Sequence, residues 1–97
     1  MWHVLKLEYT TAGSTDPKTQ LTGYGSLEQA GNIFDHLELG YQLGTTVRLK
    51  GGKRIGIKSI QLYESFKQRL DDAVEQVKSG DATLMREARE VDLEISG

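Results

Sequence analysis

Residues 2–9, WHVLKLEY, place Leu5, Leu7 and Tyr9 on one face with His3, with Val4 as the one break in strict alternation, and so predict a strand. The stretch 10–17 carries Gly13, Asp16 and the only proline and reads as a turn. Residues 18–24, KTQLTGY, read as a second short strand or as loop. A long structureless connection would be unusual in so small a chain, which favours the strand.

The first helix has the clearest pattern. Ser26-Leu27-Glu28-Gln29 fits a capping box, with Ser26 as N-cap and Gln29 reaching back to it. Leu27, Ala30, Ile33, Phe34 and Leu37 follow as an apolar stripe at helical spacing, and Gly40 is a natural stop. Residues 46–63, TVRLKGGKRIGIKSIQLY, then read as a β-hairpin turning at Gly51-Gly52. A three-residue loop of Gly51, Gly52 and Lys53 would pair Leu49 with Ile55 and Val47 with Ile57. Paired residues share a face, so this register separates an apolar face from a basic one. The apolar parity slips after Lys58, from Ile55 and Ile57 to Ile60 and Leu62, and a bulge near Lys58-Ser59 would restore one buried face.

A second helix is expected from about Glu64 to Ser79, with Phe66, Leu70, Ala73, Val74 and Val77 buried and Gly80 as its stop. Asp81 can cap a third, shorter helix carrying Leu84, Met85 and Ala88. The end, EVDLEIS, alternates Val91, Leu93 and Ile95 with acids and is a last strand or the frayed end of that helix. The predicted order is β(β)αββαα(β). This is a single α+β domain over residues 1–97, with helices packed on one face of a small, mainly antiparallel sheet.

Charge changes the picture at one place. Arg48, Lys50, Lys53, Arg54 and Lys58 give residues 46–58 a local charge of +5 with no acid, in a chain of net charge −2. The flanking segments are acidic, −3 over residues 1–45 and −4 over residues 59–97. A ribbon with Arg and Lys on one face can lie along phosphates or against an acidic protein. No aromatic is interleaved among these bases, so stacking on single-stranded bases is not indicated. The plainer reading is that lysines on an exposed strand deter edge-to-edge aggregation, but an acid-free +5 exceeds what edge protection requires.

Other chemistry is thin. The chain has no cysteine, which excludes a disulfide framework and a thiolate metal site. No HExxH, GxSxG or P-loop occurs, and the only histidines, His3 and His36, lack an evident catalytic partner. Asp35 and His36 are adjacent on a helix and point about 100° apart, so they do not form one site. Gly23-Tyr24-Gly25-Ser26 leads into a helix N-terminus but lacks the third glycine and the lysine of a nucleotide loop. The acids of the C-terminal third are interspersed with Lys67, Arg69, Lys78, Arg86 and Arg89, as on an ordinary solvated surface. These features predict a protein that is not an enzyme and uses no cofactor or metal. No apolar run is long enough to span a bilayer and no signal-peptide pattern opens the chain, so the default expectation is a soluble cytoplasmic protein with no membrane partner. The small core leaves room for stabilisation by a homodimer.

The order SLEQA (26–30), Ile33, GTTVRL (44–49), a basic residue, Gly51-Gly52 and IGIK (55–58) resembles the βαββ core of small anti-CRISPR proteins of phages and mobile elements. The resemblance covers about a third of the chain. It implies a small inhibitor that blocks a type I CRISPR surveillance complex through basic residues, in the cytoplasm of the host cell if phage-encoded. Arg48, Lys50 and Lys58 fall at matching basic positions of the hairpin. The helix departs from the pattern, with Gly31, Asn32, Asp35 and His36 where those proteins carry basic residues, and the chain adds a C-terminal third.

The expectation is therefore a small non-enzymatic binding protein that docks on a protein or ribonucleoprotein complex through Arg48, Lys50, Lys53, Arg54 and Lys58. The alternatives are direct nucleic-acid binding by the same ribbon, which the acidic remainder disfavours, and a structural subunit whose interface is Trp2 and the Val91–Ile95 strand.

Overall fold

In the computed structural model, which describes residues 1–48 and 51–88, the alternating N-terminal segment forms strand β1 (Trp2–Thr11). It pairs antiparallel with β2 (Lys18–Tyr24), so the weak KTQLTGY signal is a strand. Helix α1 (Leu27–Leu43), β3 (Val47–Arg48), β4 (Arg54–Ser65), α2 (Leu70–Ser79) and β5 (Thr83–Glu87) follow. The sheet is antiparallel in the order β2-β1-β4-β3, and β5 also pairs with β4. β1 occupies one side of β4 along most of its length, so β3 and β5 share the other side, β3 at Arg54–Ile55 and β5 at Gln61–Glu64. The α+β class read from the pattern is the class observed.

The sheet is covered on both faces rather than one, which is where the architecture departs from the expected layout. Leu5, Leu7, Ile60 and Leu62 pack with Ala30, Phe34 and Leu37 of α1. Val4 points the other way, into a second cluster with Ala73 and Val77 of α2, joined by Trp2, Leu21 and Tyr63. Neighbouring strand residues point to opposite faces, so Val4 and Leu5 cannot serve one helix. The break in alternation at Val4 records this: β1 is central and needs apolar groups on both sides.

The bulge is where the parity slip places it. Glu8 pairs with Ser59 and Tyr9 with Ile57, leaving Lys58 as the extra residue and returning Ile57 and Ile60 to the α1 side. Helix α1 begins at the predicted cap, with the Gln29 amide donating to Ser26 Oγ at 3.3 Å. It does not stop at Gly40. It continues to Leu43 and ends on Gly44 in the left-handed conformation, with φ +66. Gly40 is buried inside the helix because a Cβ there would collide with Val47 Cγ2.

Three further expectations are corrected. The second helix starts at Leu70, because residues 64–65 extend β4, and Phe66 is exposed. The third helix is absent: residues 83–87 are β5, whose backbone fills the open edge of β4. Tertiary pairing outweighs the local helical preference of Leu84 and Met85. The hairpin register differs by two residues, with Val47 opposite Ile55 and Arg48 opposite Arg54. An even shift preserves the separation of faces. The terminal strand expected over Val91–Ile95 lies outside the described residues. Among the described residues no helix is long and apolar enough to cross a membrane.

Candidate binding face on the basic hairpin

The position of the hairpin follows from the end of α1. Gly44 turns the chain, and the Thr45 amide and hydroxyl both donate to Gly40 O, at 3.1 and 3.4 Å. Two residues later Val47 lodges against the notch left by the missing side chain of Gly40 and packs in the α1 core with Ile55. With Val47 and Ile55 held inward, the next pair, Arg48 and Arg54, is directed to the other side of the ribbon by strand alternation. Both are exposed. Gly51 and Gly52 carry φ of +102 and +85, conformations that suit glycine and allow the chain to reverse. Lys53 is exposed in that loop, and Lys58 is exposed at the bulge. Lys50 lies outside the described residues.

Four of the five predicted cations are thus brought onto one exposed ribbon. Directly opposed residues in an antiparallel pair have Cβ atoms about 5 Å apart, and like charges there are destabilising. None of Arg48, Lys53, Arg54 and Lys58 has an ion-pair partner among the described residues. Arg86 shows the opposite treatment. Its guanidinium pairs with Asp35 and Glu38 of α1 and lies 4.2 Å from the ring centroid of buried Phe34. Arg86 binds β5 to α1, and its role is missed by a reading that places residue 86 on a helix. The signal available was the pair of acids, Asp35 and Glu38, one turn apart on α1.

A second feature was not legible in the pattern. A cleft of about 410 Å³ separates α1 from β2, with Leu5, Leu7 and Leu37 in its floor and Thr22, Tyr24 and His36 at its rim. Arg48 and Val47 close one end. Burial raises the Tyr24 phenol above its ordinary pKa of 10.0 by disfavouring the phenolate. No carboxylate of the described residues lines the cleft. Of the two histidines, His36 is an exposed rim residue, whereas His3 is buried and its Nδ1 has no hydrogen-bond partner. Among the described residues no three His, Asp or Glu side chains come together as a metal site. Trp2 is engaged within the fold, donating from Nε1 to Gln68 O at 3.0 Å and packing against the α2 cluster.

No protein-family model matches this chain, and neither does any curated protein or solved structure.

Proposed function

We propose that this protein is a small binding protein without catalytic activity that docks its basic hairpin on an acidic macromolecular surface. The observation that supports the reading is the exposed Arg48–Arg54 pair, two arginines at directly opposed strand positions with no neutralising carboxylate among the described residues. Such a pair costs stability in the free protein. Edge protection does not call for it, because an acid-free +5 over residues 46–58 exceeds what a guarded edge requires. Features that cost stability and have no compensation within the fold are expected where a partner supplies it. Arg is suited to this role because its planar fork matches phosphate and carboxylate groups.

The partner is a nucleoprotein or acidic protein complex, engaged in the cytoplasm. The specific target suggested by the sequence resemblance of residues 26–58 to anti-CRISPR proteins is a CRISPR surveillance complex. Phosphate contacts from Arg48, Lys50, Lys53, Arg54 and Lys58 would give affinity without sequence reading.

The test is capture from a host-type lysate by the tagged protein, with and without nuclease, alongside Arg48→Glu/Arg54→Glu. One protein complex retained by the wild type after nuclease and lost by the folded variant is the expected result. Recovery of nucleic acid alone, abolished by nuclease, would move the reading to direct nucleic-acid binding. Unchanged capture by the variant would end it.

A further inference from the structure

β2 is the outer strand of the sheet, and no other element reaches its free edge among the described residues. From Thr19 to Tyr24 it carries no charge, proline or bulge, the usual devices that keep an edge from pairing. The two sides of this edge differ in chemistry. On the α1 side lies the cleft floored by Leu5, Leu7 and Leu37. On the α2 side, Thr19 and Leu21 border a shallow depression with Lys6 and Lys78. Lys6 has no carboxylate partner among the described residues, and Lys78 has only an exposed contact with Glu75 at 3.6 Å. A strand added to this edge would be matched by apolar side chains on one face and acidic ones on the other.

The chain contains such a sequence. Val91, Leu93 and Ile95 alternate with Asp92 and Glu94, beyond the last described residue. Within one molecule the chain from Ala88 is too short to lay this whole segment along β2. Ala88 donates its amide to Ile60 O, at the opposite edge of the sheet. A strand beside β2 lies four inter-strand spacings from β5, about 19 Å through the sheet. From Ala88 to Val91 is three steps of chain, about 10–11 Å when fully extended, so Val91 would fall short of that position.

We propose that β2 receives residues 91–95 of a second copy of this chain, giving a dimer by exchange of C-terminal strands. Val91, Leu93 and Ile95 would cover the cleft mouth, while Asp92 and Glu94 meet Lys6 and Lys78. The interface borders Arg48 at one end of the cleft, but its test replaces neither Arg48 nor Arg54, so its failure is distinguishable from failure of the docking reading.

The experiment is sedimentation equilibrium on the full chain over a concentration series, with two variants, Leu93→Asp and Lys6→Glu/Lys78→Glu, and an equimolar mixture of the two. The wild type should sediment at twice its 10.8 kDa. Each variant alone should dissociate at concentrations at least about tenfold higher, since each carries two defective contacts. The mixture should regain association, because the intact β2 edge of one variant can accept the intact tail of the other. Defects of folding would not complement in this way. A wild type that is monomeric throughout, a dimer indifferent to Leu93→Asp, or a mixture no better than its components would each overturn the proposal.

Discussion

Gly40→Ala should destabilise the protein, although it places the best helix former inside a helix. In an unconstrained helix the change is worth about 0.5–1 kcal/mol in favour of Ala. Here the new Cβ would collide with Val47 Cγ2, and both residues are buried. Overpacking of this kind costs about 1–3 kcal/mol, which leaves a net loss of about 1–2 kcal/mol. For a domain of this size that lowers Tm by roughly 4–16 °C. Val47→Ala alone removes two buried methyl groups, at about 0.8 kcal/mol each plus a cavity contribution, so about 2 kcal/mol. Combined, the two changes should not add: the methyl group introduced by Gly40→Ala fills the space that the shortened side chain at position 47 vacates. The double variant should be more stable than their sum by about 0.5–3 kcal/mol, the usual coupling range for residues in contact. Urea unfolding followed by circular dichroism measures all three. A stabilised Gly40→Ala, or additivity within about 0.5 kcal/mol, would refute the lodging of Val47 against Gly40. The point bears on function, because this contact sets the position of Arg48 one residue later.

Three further outcomes follow from the same geometry. Arg54→Glu turns a like-charge pair into an opposite one and should raise stability by about 0.2–1 kcal/mol while weakening partner capture, so a melt and a pull-down should move in opposite directions. Arg86→Ala should cost about 1–2 kcal/mol from the lost ring contact and half-exposed ion pairs; Arg86→Lys should recover only part of it, and added salt should shrink only the ion-pair share in thermal melts. Tyr24 binds its proton more tightly folded than unfolded, so it favours the fold fully below pH 10.0 and the benefit is lost as pH rises through its raised value. Tyr24→Phe should therefore lessen the alkaline loss of stability, and ultraviolet titration should lose a phenol that ionises above pH 10.0.

What the sequence revealed and what it concealed have a common cause. Patterns generated by one element against one core were legible: the Ser26 cap, the β1 alternation, the left-handed stop at Gly80 and the parity slip that marks the bulge at Lys58. Patterns that depend on a second partner were not. Val4 looks like an error of alternation until α2 is placed on the opposite face. Gly40 looks like a helix end until Val47 is seen to need its missing side chain. Residues 83–87 have no strong strand signal because pairing to β4, not propensity, makes them a strand. The hairpin register slipped by two because alternation fixes only which face a residue takes, and shifts of two leave the faces unchanged. The same property explains why the predicted ribbon survived the wrong register. Arg48 and Arg54 share a face in either alignment, but only the observed one sets them directly opposite each other. In the expected register Arg54 would have faced Lys50, so a basic pair would have stood at that point in either case. The sequence commits the charge to this ribbon more firmly than it commits the alignment of the strands that carry it.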